Sequence, residues 1–334
     1  MLFRSSLGLG DYDDRSTPTQ VTELASRFVT QLTAGHLFSM ALCSDGSVHT
    51  WGANGSGQLG LDDTTRRNAP AVVSAFNGMA VKQVVAGGSH GLALLMDGSV
   101  YTWGANHYGQ LGHGDSGASA GRTSPTLVSA LEGKGVVLLS AGHHSSFALC
   151  SDGSVYAWGS NEFGQLGLGD AEVGVNRNTP TLVTSLSDKG VADFGKGHKY
   201  SLALCSDGSV YSWGSGNGTP SLVSELSDRA ATQVVCGYDF MLVLCDDGSV
   251  HAWGSNGMGV LGLGDTDART APTLVTALEG KGVIGISSWD GHCLAAGANG
   301  EAYSWGDNWF GKLGLGTDRD SDPIRTLPAR GLLP

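Results

Sequence analysis

Charge is scarce in this sequence. Only 15% of its 334 residues are charged, and 19 Lys and Arg stand against 31 Asp and Glu, a formal net charge of −12. Nucleic acid is gripped through its phosphates by basic surfaces, so it is not expected as a direct partner. A basic protein remains compatible with that charge. Long helices are disfavoured too, because their solvent faces need Glu, Lys and Arg in quantity. No apolar run approaches the roughly 18 residues that a membrane-spanning helix requires, so no membrane span is expected. Proline is limited to nine residues and glycine has no three-residue period, which excludes collagen. The opening Met1-Leu2-Phe3-Arg4 leads into no signal-peptide core and turns acidic at Asp11, Asp13 and Asp14. An intracellular address, cytoplasmic or nuclear, is the expectation.

Glycine, in contrast, is abundant, with 53 residues, and hydrophobic residues make up 40% of the chain. That excludes a disordered acidic tail and points to a compact all-β protein punctuated by turns. Trp-Gly recurs at 51, 103, 158, 213, 253 and 305, at spacings of 52, 55, 55, 40 and 52 residues. Each copy follows a near-identical run: Asp45-Gly-Ser-Val-His-Thr-Trp51, Asp97-Gly-Ser-Val-Tyr-Thr-Trp103 and Asp152-Gly-Ser-Val-Tyr-Ala-Trp158. The series continues at Asp207 and Asp247 and diverges at Asn299-Gly300. Repeats of this length are propeller blades.

Each repeat reads as four strands. Val81-Lys-Gln-Val-Val-Ala-Gly87 typifies the first and Leu202-Ala-Leu-Cys205 the second. Asp-Gly then marks a hairpin turn, because glycine tolerates the positive φ that the turn requires. The Val-Tyr-x-Trp segment is the third strand. A glycine-rich loop, Gly164-Gln-Leu-Gly-Leu-Gly-Asp170 in its fullest form, leads to Thr179-Pro-Thr-Leu-Val183 as the fourth. Its proline cannot donate to a ladder, which places this strand at an edge. Four antiparallel strands per repeat define a β-propeller.

These residues resemble the regulator of chromosome condensation repeat family, whose pattern Asp-Gly-x-Val-Tyr-x-Trp-Gly-x-Asn-x-x-Gly-Gln-Leu-Gly-x-Gly-Asp is matched nearly throughout by residues 152–170. The resemblance spans residues 7–327. Repeat four departs from it, running Ser215-Gly-Asn-Gly-Thr-Pro220 with no glycine-rich loop. Six blades in a single domain over residues 1–334 are expected, against a family norm of seven. An N-terminal strand within residues 7–24 is expected to close the last blade, leaving residues 313–334 as an extra strand and tail.

Most chemistry-bearing residues fall on repeat positions. Cys43, Cys150, Cys205 and Cys245 are equivalent and so cannot converge on a metal or pair with one another; with Cys236 and Cys293 they read as small buried residues. His36, His143 and His198 follow the glycine that ends a first strand, and His90 and His292 sit two positions later. These histidines would lie near one mouth of the propeller, either receiving a partner or bonding local carbonyls. None has metal-motif spacing. Asp115, Asp170 and Asp265 end the glycine-rich loops, and Asp265-Thr-Asp267 and Asp318-Arg-Asp320-Ser-Asp322 lack the remainder of a calcium loop, so solvated charge is the expectation. No catalytic, cofactor-binding or metal residue is assigned.

The breaks in the repeat are the better candidates. Trp289 replaces the glycine that ends the other first strands. In the glycine-rich loop, one position reads Gly55, His107, Glu162, Gly257 and Trp309, where an exposed aromatic would anchor an interface. The next reads Tyr108, Phe163, Met258 and Phe310, and its regularity suggests packing on the neighbouring blade. Candidate partner-binding residues are therefore Trp309, Trp289, His107, His36, His143 and His198.

The resemblance implies several roles. The founding member is an exchange factor for the GTPase Ran and docks on chromatin; relatives are binding platforms in ubiquitin ligases, kinases and other assemblies. The loops from Leu-Gly to proline run 12, 12, 15, 15, 12 and 11 residues, too short for the wedge by which the exchange factor pries at its GTPase. The basic chromatin tail and the Gly-Trp-Arg-His-Thr clusters of the plant photoreceptor relative are absent from the sequence. The expected function is a non-catalytic protein–protein interaction propeller, a scaffold or adaptor or a subunit of a larger assembly, with no cofactor. The alternative is a guanine-nucleotide exchange factor for a Ran-like small GTPase.

Overall fold

The structure, a computed structural model, describes residues 6–169, 175–316 and the backbone of 324–330. It contains six four-stranded antiparallel sheets, each with its strands in chain order, and almost no helix beyond single 3-10 turns. The fold is a β-propeller with six four-stranded blades. Blade 1 consists of Val29–Ala34, Phe38–Cys43, Val48–Gly52 and Arg67–Val72; the later blades begin at Val81, Val136, Val191, Ala231 and Val283. The chain forms two compact units, one carrying blades 1 to 3 on Gln20–Asp188, the other carrying blades 5 and 6 and most of blade 4.

The sequence explains the order of the strands within a blade. Second strands such as His90–Leu95 are buried along their whole length, which is why they read as unbroken apolar runs rather than alternating ones. Fourth strands lie at the sheet edge, where Pro70, Pro125 and Pro272 interrupt no further ladder. The glycine after each tryptophan is required by sterics. Gly52 sits at a β-bulge with φ +109, and a Cβ there would lie 2.3 Å from the Leu37 carbonyl oxygen.

Within each unit the core lies between successive blades. Phe38, Met40, Leu42 and Val48 of blade 1 pack on Val81, Val84 and Trp103 of blade 2. Leu92, Leu94 and Val100 then pack on Val136, Leu139 and Trp158 of blade 3. The same arrangement brings Trp253 against blade 4 and Trp305 against blade 5. The tryptophan indoles also fasten blades together. Trp103 Nε1 donates to the Gln58 carbonyl at 2.9 Å, Trp158 to that of Gln110 at 2.9 Å, and Trp305 to that of Val260 at 2.8 Å. In each case the acceptor lies in the glycine-rich loop of the preceding blade.

The N-terminal segment does not take the expected place. The fourth strand of blade 6 is Ile324–Arg330, paired antiparallel with Ala302–Asp307, while residues 17–21 form no strand. Every other blade takes its fourth strand from the chain that follows its own third, and blade 6 does the same. Residues 6–10 instead act towards blade 1 as a glycine-rich loop acts towards the next blade. Trp51 Nε1 donates to the Ser6 carbonyl at 2.9 Å, and the Gly10 amide to that of Asn68.

Candidate functional site

The glycine-rich loops share one anchor. The side-chain oxygen of an asparagine accepts the amide five residues on: Asn54 from Leu59 at 2.9 Å, Asn106 from Leu111 at 3.0 Å, Asn256 from Leu261 at 2.9 Å and Asn308 from Leu313 at 3.2 Å. In blades 1 to 3 a buried glutamine adds a second tie. Gln58, Gln110 and Gln165 accept the amides of Ser56, Tyr108 and Phe163, each at 2.9 Å. These three residues are half-buried, and Tyr108 lies over the His144 ring of blade 3 at 4.6 Å between centroids.

Blades 5 and 6 lack that glutamine, having Val260 and Lys312 in its place. Their equivalents of Tyr108 turn outward: Met258 is 46% exposed and Phe310 49%. Recurrence at this position therefore does not enforce packing on the next blade, as the sequence pattern suggested; the glutamine does. Blade 6 carries a further change. Asp307 replaces the Ala or Ser of the other repeats, pairs with Lys312 Nζ at 2.5 Å and accepts the Trp309 amide at 2.8 Å. The resulting turn over Trp309–Gly311 holds Phe310 at φ +66, the left-handed region that non-glycine residues rarely enter. Trp309, 43% exposed, and Phe310 project together, their rings 6.4 Å apart.

The candidate histidines separate into two kinds. His36 and His143 lie on the turns after their first strands, where backbone bonds run from His36 N to Gly88 O and from Gly88 N to His143 O, both 3.0 Å. Gly88 has no side chain, so the two rings approach to 5.8 Å across it. His143 Nδ1 also lies 2.9 Å from His144 Nε2, a neighbour that the repeat pattern gave no reason to single out. His198, in the second unit, stacks on the Tyr238 ring at 4.4 Å. His107 is exposed on the blade 2 loop, and Trp289 is half-buried, facing His292 across the turn that follows its strand.

His90, by contrast, is wholly interior rather than at a mouth. Its Nε2 lies 3.0 Å from Ser146 Oγ, and burial, with the nearby His143, pushes its pKa down to about 3. Burial likewise lowers His292 to about 4.

The remaining polar candidates are structural. All six cysteines are free and buried, and burial pushes the Cys150 and Cys236 thiols up to about 11 and about 12. The loop aspartates are not merely solvated. Asp115 Oδ2 pairs with Arg122 and Asp265 Oδ2 with Arg269, both at 2.6 Å, while Asn106 and Asn256 donate to the other carboxylate oxygens. Asp170, Asp318, Asp320 and Asp322 lie outside the described residues. No helix among the described residues is long and apolar enough to cross a membrane.

Repeated loops on a four-stranded-blade scaffold, those of blades 1, 2 and 5 fastened to the next blade by a tryptophan, define a class of repeat propeller. The chain belongs to the RCC1-like domain family, which it matches over residues 4–219, and residues 247–296 match the regulator of chromosome condensation (RCC1) repeat. It is 33% identical over 315 residues to the human E3 ubiquitin-protein ligase HERC2, an alignment covering 93% of this chain and 6% of that protein. It is 31% identical to the Arabidopsis thaliana ultraviolet-B receptor UVR8, over 94% of this chain and 61% of the receptor. The fold is that of Prp20p from Saccharomyces cerevisiae, with a TM-score of 0.85 at 23% identity, covering 98% of this chain and 83% of that one. Human WBSCR16 matches with a TM-score of 0.79 at 24% identity, over 92% of this chain and 83% of its own.

Proposed function

We propose that this chain is a non-catalytic protein-interaction propeller that docks its partner on the glycine-rich loop of blade 6. The observation that carries this reading is the outward pair Trp309 and Phe310. Two adjacent aromatics stand exposed on a loop whose own ion pair and backbone bonds keep Phe310 in a conformation costing roughly 1–3 kcal/mol. Backbone strain held in place by surrounding contacts concentrates at binding sites, and tryptophan is one of the residues enriched at interface hot spots. The net charge of −12 favours a basic partner, through steering more than through affinity. The scaffolding role fits a family whose members occur within larger proteins such as HERC2.

The test is affinity capture with wild type and Trp309→Ala in parallel, followed by a binding titration with the purified partner. Trp309→Ala is expected to weaken the complex by roughly tenfold or more, about 1.4 kcal/mol, with little change in melting temperature. Unchanged affinity would sink this reading.

A second reading is exchange activity on a small GTPase. It is supported by the fold shared with Prp20p, which was studied for its binding to Gsp1p and histones. Faster nucleotide release from a Ran-like GTPase in the presence of the purified chain would favour it over a passive scaffold.

A further inference from the structure

We infer that the hairpin end of blades 1 and 2, in the first unit, is a docking surface for a basic segment of a partner protein, one that sets a lysine or arginine between large apolar side chains. Three repeat positions depart there from the other blades. The second residue before the first strand is basic in five blades, as Arg27, Lys134, Lys189, Arg229 and Lys281, and is Met79 in blade 2. The next is Gly or Ala in five blades, and is Phe28 in blade 1. The residue that opens the hairpin is Ser44, Ser151, Ser206, Asp246 or Ala298 in five blades, and is Met96 in blade 2. All three changes put a large apolar side chain into solvent: Phe28 is 75% exposed, Met96 68% and Met79 38%.

The backbone holds these residues at one end of the two blades. The amide that opens each hairpin donates to the carbonyl just before the first strand, Ser44 to Phe28 and Met96 to Ala80, both at 2.8 Å. The Met79 carbonyl in turn lies beside the hairpin of blade 1, 3.7 Å from where a Gly46 Cβ would stand. Phe28, the Ser44–Ser47 hairpin, Met79 and Met96 therefore follow one another across neighbouring blades. Single apolar residues scattered on a surface need no explanation. Three at aligned positions that are otherwise small, polar or basic are a patch, and methionine, with its flexible thioether chain, suits a surface that adapts to a partner.

The charge missing from this patch identifies what covers it. In other blades the basic side chain folds over its own hairpin. Where the third strand carries histidine, an arginine pairs with the hairpin aspartate: Arg27 Nη1 with Asp45 Oδ2 at 3.1 Å, and Arg229 Nη1 with Asp247 Oδ2 at 3.3 Å. Where it carries tyrosine, a lysine lies over the ring: Lys134 Nζ is 5.8 Å from the Tyr156 centroid and Lys189 Nζ 5.7 Å from that of Tyr211. Blade 2 keeps both acceptors, Asp97 and Tyr101, and has Met79 in place of the cation. Asp97 is exposed, and the bond it accepts from the Ser99 amide at 2.9 Å brings no positive charge. A partner's lysine or arginine supplies the missing cation to a carboxylate and an aromatic ring, both of which attract it. Apolar side chains on either side of that base cover Met79, Met96 and Phe28.

The experiment selects binders to the purified full chain from a phage-displayed library of random peptides and discards those that also bind Met79→Lys, in which the chain supplies its own cation. Synthetic peptides from the remaining pool are titrated by fluorescence anisotropy. They are expected to share a lysine or arginine flanked by large apolar residues. Met79→Lys and Met96→Ser should each weaken binding roughly tenfold or more, Phe28→Ala less, and Trp309→Ala, on the blade 6 loop, not at all. Asp97→Asn keeps a side-chain oxygen for the Ser99 amide and should remove the salt dependence of binding. Met79→Lys and Met96→Ser restore residues found in other blades, so both should melt no lower than wild type, which separates loss of the surface from loss of the fold. A pool without basic residues would overturn the inference, as would a pool left empty by the Met79→Lys step or binding that survives both methionine substitutions. Self-association in sedimentation that Met79→Lys abolishes would assign the patch to a second copy of the chain and overturn it too.

Discussion

The glycine-rich loops of blades 2 and 6 begin from the same asparagine anchor and end in opposite surfaces. In blade 2, Gln110 accepts the Tyr108 amide and the phenol ring folds down onto His144. In blade 6, Lys312 offers no acceptor, Asp307 takes the Trp309 amide instead, and Phe310 lies in the left-handed region, 49% exposed. One hydrogen bond, moved by one residue along the backbone, decides whether an aromatic is packing or display. The presence of aromatics at this position is therefore uninformative by itself. The residue two places later carries the information.

The largest expected effect tests how the blade 2 loop is held to its neighbour. Trp158 is fully buried against blade 2 and donates to the Gln110 carbonyl. Trp158→Ala is expected to cost roughly 3–5 kcal/mol in chemical denaturation, as for other large core truncations. A loss below about 1 kcal/mol, the scale of an ordinary surface change, would mean that blades 2 and 3 are not fastened in this way and that the blade 2 loop lacks the support assumed in the comparison.

The next effect distinguishes positions that look functional from positions that are. Blades 1 and 5 place Phe38 and Phe240 against a first-strand glycine where blade 2 places His90. Burial keeps His90 neutral, with its pKa lowered from 6.5 to about 3. Because the folded-state pKa is below the unfolded one, the unfolded chain binds a proton between pH 6.5 and 3 that the folded chain does not. Stability is complete above pH 6.5 and falls with acid by up to about 1.4 kcal/mol per pH unit. His90→Phe should reduce the pH dependence of unfolding in that window, leaving the contributions of His292, whose pKa is about 4, of His49, His113 and His251, which burial also lowers, and of the hydrogen-bonded loop and turn aspartates. An unchanged slope in denaturant melts at pH 7, 6 and 5 would show that His90 is not held neutral.

Much of this architecture was legible in the sequence. Asp-Gly turns, Trp-Gly bulges and edge prolines are local chemistry, and each repeats often enough to be read. That Cys43, Cys150, Cys205 and Cys245 neither pair nor converge followed from the same equivalence, since residues at one repeat position are kept apart. What escaped was pairwise. His36 meets His143 only because the intervening blade has Gly88, and Asp115 and Asp265 are claimed by Arg122 and Arg269 several residues further along the loop. Motif alone does not select the fourth strand of blade 6, because two segments carry the same motif and only the observed pairing, Ser304 with Ala329 and Gly306 with Arg325, selects one. Repeat logic describes positions; the proposed docking surface lies where a position departs from the repeat.

The smallest expected effect is also the sharpest test of the comparison. Restoring the common residues at both changed positions, in the double variant Asp307→Ala with Lys312→Gln, should rebuild the blade 2 type of loop in blade 6. The new glutamine accepts the Phe310 amide as Gln110 accepts that of Tyr108, and Phe310 leaves the left-handed region. Stability should change by no more than about 1 kcal/mol, because relief of the strained φ is offset by loss of a largely shielded ion pair. The readouts are local: slower hydrogen exchange at the Phe310 amide, and weaker partner capture although both aromatics remain in the sequence. Unchanged exchange at Phe310 would show that the glutamine does not govern the loop. Slower exchange with undiminished capture would separate the two claims, keeping the hydrogen-bond switch and removing blade 6 as the docking surface.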